Sequence, residues 1–348
     1  MIETEGIKYL GSKKKIIPYI LGVIRPLGIQ VVCDIFTGTT RVAQALKQEN
    51  YSVITNDLAT YSEVFAGCYL INDKNRPSLQ AKMDHLNGLS GQVGWFSQHY
   101  AGGSTAKGKK YSIMFFQQHN TEKLDVIRDE IDKISTGIER DILLTSLILA
   151  MDRVDNTVGV QQAFLKNTWS TRSHQIMKMV IPQLITHKQQ TYTRYREDAN
   201  ILAPKLKEVD LVYIDPPYTN HSYYHYYHIW ETIIRNDKPQ VYGVPNKRVD
   251  AQQSHSKYNY KAEVAKAFED LLTNLKVPYL LISYNDEGIL LPDDMEKILA
   301  KQGEVSITEI DYKRNVMCDI GRYNDEGVRV SKKQKDKNVE FLYLVKKK

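Results

Sequence analysis

The segment "DPPY" follows the apolar run "LVYI" and holds the most distinctive chemistry in the chain. Asp215 lies where a buried strand is expected to end, and Pro216 and Pro217 restrict the backbone and remove two N–H donors. The carboxylate and the Pro216 carbonyl together offer two acceptors, which suit an –NH2 group with two hydrogens to donate. Tyr218 adds a flat face for an aromatic ring. The segment predicts a site for an exocyclic amine on a planar heterocycle, such as adenine N6 or cytosine N4.

A second candidate site is the glycine turn in "CDIFTGTT", between a predicted strand and a predicted helix. The turn at Gly38 lets a ligand approach the backbone, but it lacks the G-x-G-x-x-G pattern that binds a dinucleotide pyrophosphate. A cofactor without phosphates fits this loop better. Asp57 follows about 20 residues later, where an acid accepts hydrogen bonds from ribose hydroxyls. A plain tight turn is the alternative for the loop, and a helix N-cap is the alternative for Asp57.

These residues need a parallel sheet to bring them together. The segments "VVCD", "YSVITND", "TYTRYRED" and "VDLVYID" each predict a strand followed by an acid, with helices between strands. A strand, a helix and a strand within about 30 residues form a βαβ unit, whose strands run parallel. Ligands of such open sheets bind beyond the carboxyl ends of the strands. One site is therefore predicted at this edge, and its acids are Asp34, Asp57, Asp198 and Asp215.

Bulk composition is that of a globular protein with a mildly basic surface. The 348 residues are 42% apolar and 25% charged, with a net charge of +6. No apolar run is long enough to span a bilayer and the N-terminus lacks a secretory signal, so no membrane partner is expected. Three scattered cysteines without metal-ligand spacing favour a reducing, cytoplasmic location and predict no metal site. Basic segments and abundant tyrosine suit a nucleic-acid partner.

The motifs and their order resemble those of the Dam-type class of DNA adenine-N6 methyltransferases. "DIFTGTT" is similar to the family's D-x-F-x-G-x-G loop, "DPPY" matches its catalytic motif, and "KYLGSKKKII" resembles its N-terminal motif. The resemblance implies S-adenosylmethionine (SAM) as the cofactor, held by Tyr9, Lys13, Asp34, Phe36, Gly38, Asp57 and Asp198. It implies a catalytic set of Asp215, Pro216, Pro217 and Tyr218. One departure is Thr40 at the second glycine, which either moves the loop away from the cofactor or supplies a hydroxyl contact.

The resemblance further implies methylation of adenine N6 in a specific duplex DNA sequence, by the modification enzyme of a restriction–modification system. The expected fold is a Rossmann-like, mostly parallel α/β sheet built from residues 1–60 and 190–348. Residues 61–189 are expected to form an inserted, mainly helical target-recognition region. The target base is expected to flip out of the duplex and stack on Tyr218. Expected partners are double-stranded DNA and, as a candidate, a cognate restriction endonuclease, with the protein itself a monomer or weak dimer.

Several alternatives stay open on the sequence alone. An RNA adenine methyltransferase has the same four-residue motif, a cytosine-N4 enzyme commonly has Ser in place of Asp215, and an inactive methyltransferase fold could serve as a DNA-binding protein. The tract "TNHSYYHYYHIW" fits equally a mobile loop closing on the base and a partly buried aromatic helix. Basic residues in "WSTRSHQIMK", including Arg172, and in 305–348 are predicted to contact DNA phosphates.

Overall fold

A central sheet organises the computed structural model, which describes residues 2–72, 76–103, 113–165, 168–186, 190–220, 222–253, 256–313 and 337–348. The strands in chain order are β1 (Val31–Asp34), β2 (Ser52–Asn56), β3 (Tyr192–Tyr195), β4 (Leu211–Ile214), β5 (Val241–Tyr242), β6 (Lys247–Arg248), β7 (Tyr279–Asn285), β8 (Gly303–Lys313) and β9 (Lys337–Lys347). Within the described residues, seven of them form one sheet in the order β3-β2-β1-β4-β7-β9-β8, and β5 pairs with β6. The first five run parallel and β9 is antiparallel to both neighbours. The predicted mostly parallel α/β sheet is confirmed.

Helices cover both faces of this sheet. In chain order they are α1 (Ile17–Ile24), α2 (Arg41–Gln48), α3 (Thr60–Ala66), α4 (Ser78–Gly88), α5 (Trp95–Tyr100), α6 (Gln118–Ile134), α7 (Gly137–Val154), α8 (Ala199–Leu202), α9 (Tyr223–Tyr226), α10 (His228–Arg235), α11 (Val264–Asn274) and α12 (Pro292–Ala300). The α7 sequence is apolar on most sides, and accordingly α7 is buried along nearly its whole length. No helix in the described part of the chain is both long and apolar enough to cross a membrane.

The strand residues alternate between two hydrophobic clusters, one on each face of the sheet. Val32 and Leu211 belong to one cluster, whereas Cys33 and Val212, their neighbours in sequence, belong to the other. This alternation follows from the strand, in which successive side chains point to opposite faces. The first cluster continues without a break into the helices between residues 60 and 154 and includes Leu144 of α7. These helices therefore share their core with the sheet.

Strands β1 and β4 are neighbours at the centre, and the sheet grows from them in opposite directions. Asp34 pairs in register with Tyr213, and the Ile35 N–H donates to the Tyr213 carbonyl at 3.2 Å. Asp215 lies two residues beyond that pair, so the carboxyl ends of both strands open at the same point. A reversal of strand order of this kind leaves a crevice where ligands bind in open α/β sheets.

Candidate active site

A cavity of about 530 Å³ lies at this crevice, within the usual size range of small-molecule sites. It is lined by almost all of the residues predicted for the site, namely Tyr9, Lys13, Asp34, Phe36, Gly38, Asp57, Asp198, Asp215, Pro216 and Pro217. Tyr218 is the exception and lies beside the cavity. The parallel sheet thus gathers residues that are more than 200 positions apart in the chain.

Asp34 at the end of β1 is buried and only partly satisfied. One carboxylate oxygen accepts a hydrogen bond from the Thr37 hydroxyl at 3.0 Å. The other, Oδ1, is buried with no hydrogen-bond partner among the described residues. Burial raises the pKa of Asp34 to about 8, with a further increase from the nearby Asp215 charge. A buried acceptor of this kind is suited to a donor group on a ligand.

Asp57 fixes the glycine turn. Its two carboxylate oxygens accept from the Gly38 N–H at 2.9 Å and from the Ala59 N–H at 3.0 Å. Gly38 has φ +49°, a left-handed conformation that glycine adopts readily. The Asp57 side chain lines the cavity, and its contact with a ribose stays a prediction. The N-cap alternative is wrong, because Ala59 is the N-cap of α3 and no side chain caps that helix.

Thr40, the departure from the family's loop pattern, keeps a glycine-like backbone. Its φ is +62° and its side chain is fully buried. The hydroxyl donates to the Thr39 carbonyl at 2.7 Å and accepts from Gln44 Nε2 at 3.1 Å. Thr40 does not line the cavity. The alternative of a Thr40 hydroxyl contact with the cofactor is therefore wrong in this structure, because that hydroxyl is used inside the loop and α2.

Asp215 faces the cavity beside a buried cation. Lys13 Nζ lies 3.1 Å from Asp215 Oδ1 and 5.2 Å from the centre of the Tyr218 ring. Burial raises the pKa of Asp215 to about 7, although the Lys13 charge opposes the shift. Burial disfavours the charged form of Lys13, but the neighbouring carboxylates Asp215 and Glu340 hold its pKa well above the ordinary value. Lys13 is therefore a permanent cation next to a carboxyl that titrates near neutrality.

Tyr218 is held from two sides. Its ring meets Tyr284 of β7 edge-on, with centroids 5.9 Å apart. On the other side is Gly11, with φ +78°, where an added Cβ would lie 2.8 Å from the Tyr218 hydroxyl and 2.9 Å from the Tyr223 hydroxyl. Sequence reasoning missed Gly11, although it stands inside the quoted "KYLGSKKKII". A side chain at this position would force the Tyr218 or Tyr223 hydroxyl to move.

The Tyr/His tract is an aromatic helix rather than a loop, in the residues that the structure describes. It forms α9 and the start of α10, in which Tyr227 and Trp230 are buried. Tyr9 stacks on Tyr227 at 4.5 Å and on Tyr223 at 5.2 Å between ring centroids. Tyr223 also lines the cavity. The tract therefore builds an aromatic wall that holds Tyr9 in place, which the sequence alone did not reveal.

His228 in this tract has a structural place. Its Nε2 lies 3.0 Å from the Gln161 carbonyl, and burial lowers its pKa to about 3. It is therefore neutral at physiological pH. The described residues contain no group of three or more His, Cys, Asp or Glu that could hold a metal ion.

The far side of the cavity is made by Asp198 and by a short turn that sequence reasoning missed. Asp198 caps α8, accepting from the Asn200 N–H at 2.8 Å. Phe36 meets Tyr258 edge-on at 5.1 Å, and the Tyr258 hydroxyl donates to Asn200 at 2.7 Å. Asn259 Nδ2 donates to the Thr219 carbonyl at 2.6 Å, next to "DPPY". In the sequence this turn is marked only by Tyr258 followed by Asn259, an aromatic residue beside an amide.

The predicted phosphate contact of Arg172 is not what the structure favours. Its guanidinium lies 2.8 Å from the buried Asp155 carboxylate and also donates to the Thr157 carbonyl at 2.8 Å. A paired arginine that bridges a buried acid and a carbonyl has a structural function. The basic connection between β8 and β9, residues 314–336, lies outside the described residues.

Comparisons with known proteins agree with this geometry. Modification methylase StsI of Streptococcus sanguinis is 32% identical over 330 residues, covering 88% of this chain and 48% of that protein. Type II methyltransferases M.NlaIII of Neisseria lactamica and M.CviAII of Paramecium bursaria Chlorella virus 1 are 29% and 28% identical, each covering 88% of this chain and 92% of the relative. The chain thus spans about half the length of StsI and most of the other two.

The family model for "D12 class N6 adenine-specific DNA methyltransferase" matches residues 9–298, which is most of the chain and includes both motif regions. This match confirms the predicted family, the methyltransferase class and SAM as the methyl donor. The chain belongs to the D12 class of N6 adenine-specific DNA methyltransferases.

Proposed function

We propose that the protein methylates N6 of adenine in a specific duplex DNA sequence, as the modification enzyme of a restriction–modification system. The observation that carries this proposal is Asp215, a carboxylate that lines the cavity at the β1–β4 crevice together with three other acids, Asp34, Asp57 and Asp198. The relatives' names support it, since one is a modification methylase and two are type II methyltransferases. A cognate endonuclease, and a monomeric or weakly dimeric state, belong to the same proposal.

The residues present fit SAM. SAM carries a sulfonium, an ammonium and ribose hydroxyls, so acidic and carbonyl acceptors favour it. The unpartnered Oδ1 of Asp34 is placed for a donor on the cofactor, and Asp57 and Asp198 supply two more carboxylates around the same cavity. Tyr9 adds an aromatic wall beside Gly38. When bound there, SAM supplies a methyl group activated by a positively charged sulfur.

Asp215 and the Pro216 carbonyl are proposed to receive the two hydrogens of the adenine amine. The lone pair of that amine is delocalised into the ring, so the nitrogen is a poor nucleophile. Acceptors on both hydrogens localise the lone pair and stabilise the positive charge that develops on nitrogen during methyl transfer. Asp215 must be ionised to accept in this way, which its pKa of about 7 allows above neutral pH.

Tyr218 is proposed to stack against the target base. An adenine in a duplex must leave the helix to reach a pocket, and flat side chains stabilise the unstacked base. Tyr218 lies beside the cofactor cavity, between Gly11 and Tyr284, rather than inside it. A base on its ring would therefore lie at the rim of the cavity, with its amine directed toward Asp215.

Sequence recognition is proposed to reside in residues 61–189. Support comes from the packing, because the helices of this region share the core of the catalytic sheet and are thereby held rigidly against it. Contacts to phosphates are expected from basic side chains outside the aromatic wall, so DNA affinity should fall as salt concentration rises.

The test is expression of the chain in a host free of DNA methylation, followed by long-read sequencing and mass spectrometry of the nucleosides. We expect N6-methyladenine at one short sequence motif, and purified enzyme should label duplex DNA from tritiated SAM in preference to structured RNA. A product of N4-methylcytosine, or a preference for RNA, would contradict the proposal. Complete absence of label on any nucleic acid would indicate an inactive, DNA-binding fold.

A further inference from the structure

Glu340, on the last strand β9, is a buried carboxylate that does not line the cavity. Its side chain is 1% exposed. Its Oε1 accepts hydrogen bonds from the Lys13 ammonium at 2.6 Å and from the Ser283 hydroxyl at 2.5 Å. Burying a carboxylate is costly unless it is paired and hydrogen-bonded, and these two donors meet that requirement. Glu340 also lies beyond residue 298, where the family match ends.

Lys13 therefore sits between two carboxylates. Its Nζ lies 2.6 Å from Glu340 and 3.1 Å from Asp215. One positive charge cannot neutralise two negative ones, and the shorter contact is to Glu340. Asp215 is left with a weaker, shared ion pair.

Resting on the proposed function, we propose that Glu340 is a positioning residue for methyl transfer: it draws the Lys13 ammonium away from Asp215, so that Asp215 stays available to the target amine. Without Glu340, Lys13 pairs with Asp215 alone, and its N–H groups compete for the lone pairs that the amine requires. The position of Glu340 makes strand β9 part of the proposed site.

Other ionisable groups also face Asp215. Asp34 lies across the strand ends, and Tyr213 and Tyr223 supply buried hydroxyls. Burial holds the pKa of both tyrosines well above the ordinary value, so they stay neutral near pH 7. Burial is the main cause that raises the pKa of Asp215, Lys13 opposes it, and the Glu340 charge adds to it. Removing the Glu340 charge must therefore lower the pKa of Asp215.

The experiment compares Glu340→Gln, which removes the charge and keeps the shape, with Glu340→Asp, which keeps the charge. Glu309→Gln, at an exposed position on the adjacent strand β8, is the matched control. Single-turnover methylation of duplex DNA at saturating SAM is followed from about pH 5.5 to 9. For Glu340→Gln we expect a maximal rate about tenfold lower. The acid limb, which is the fall in rate as Asp215 becomes protonated, should move down by about one pH unit. Loss of the repulsion between Glu340 and Asp215 is expected to lower the pKa of Asp215 by that order.

For Glu340→Asp the acid limb should stay at the wild-type position even if the rate falls, and Glu309→Gln should behave as wild type. A folded Glu340→Gln enzyme with an unmoved acid limb would overturn the inference, and so would an equal shift in Glu340→Asp. If Glu340→Gln does not fold, Lys13→Met is compared with Lys13→Met plus Glu340→Gln, which removes the ion pair as a unit. Equal maximal rates are then expected, because Glu340 acts on the rate through Lys13, and a further loss of rate in the double variant contradicts the inference.

A wild-type enzyme that methylates no adenine would contradict the proposed function instead, so the two failures are distinguishable.

Discussion

The carboxylates of the cavity are held in two different ways. Asp34, Asp57 and Asp198, which are proposed to bind SAM and are called the cofactor edge, are bonded mainly by hydroxyls and backbone N–H groups within a few residues or one neighbouring loop. Asp215, the proposed acceptor carboxylate, is instead paired with Lys13, a cation more than 200 positions earlier in the sequence that is itself paired with Glu340. The local hydrogen bonds fix the positions of the cofactor-edge carboxylates. The long-range ion pair with Lys13 instead influences the protonation of Asp215, the group proposed to accept from the amine.

The largest expected effect is at the acceptor carboxylate. Asp215→Ala should lower single-turnover methylation by about a thousandfold or more, because a preorganised acceptor for developing charge is lost. DNA binding, measured by mobility shift, should stay close to wild type. Asp311→Ala, at an exposed position on β8, is the control. Near-normal turnover of Asp215→Ala would refute the assigned chemistry.

Gly11→Ala should have the next largest effect. The new Cβ would collide with the hydroxyls of Tyr218 and Tyr223, and small displacements of reacting groups can cost about a hundredfold in rate. Gly28→Ala is a matched control, because Gly28 has φ +64° and no described atom within 4 Å of an added Cβ. A methylation assay in which both variants lose activity equally would trace the effect to backbone strain and not to the collision.

At the cofactor edge, Asp57→Ala should weaken SAM binding by about 10- to 150-fold, since a charge-assisted contact is worth about 1.5 to 3 kcal/mol. Asp210→Ala provides the comparison, because Asp210 also accepts two backbone N–H groups, those of Gln30 and Val31, at the opposite edge of the sheet. Both variants should lose some stability, but only Asp57→Ala should change the SAM affinity in calorimetry. Equal SAM affinities would remove Asp57 from the cofactor site.

The smallest effect is expected on stability. The folded pKa of Asp34, about 8, lies above its ordinary value of 3.8, so folding favours the protonated form. Stability from this group is full below about pH 4 and is lost as the pH rises towards 8. Asp34→Asn should therefore raise the Tm of the SAM-free protein at pH 8 by a few degrees and by clearly less at pH 5, where only part of that stability is lost. A lower Tm at pH 8 would contradict this sign.

The position of much of the cofactor edge could be predicted from the sequence, because it depends only on which residues directly follow each strand. An acid that follows an apolar strand must lie at the carboxyl edge of a parallel sheet, so Asp34 and Asp57 could be placed together. Tyr9 could be placed by its motif, but its stacking partners Tyr223 and Tyr227 depend on where two helices fold back.

Asp215 could be predicted from the sequence, but its ion-pair network with Lys13 and Glu340 could not. Nothing in a single sequence reports that Glu340 on β9 reaches Lys13, because that contact joins residues 327 positions apart. Arg172 shows the converse, since a basic residue in a polar segment suggested DNA contact while its buried partner Asp155 was invisible from the sequence.

The pH dependence of single-turnover methylation tests the central claim, that Asp215 accepts the adenine amine as a carboxylate. With its pKa near 7, the rate at saturating SAM and DNA should be level in mildly alkaline buffer. Below neutrality it should fall about tenfold per pH unit as the carboxylate is protonated. Asp215→Asn should lack that limb in its residual activity. A wild-type rate that stays constant or rises from pH 7 to 5.5 would contradict the account.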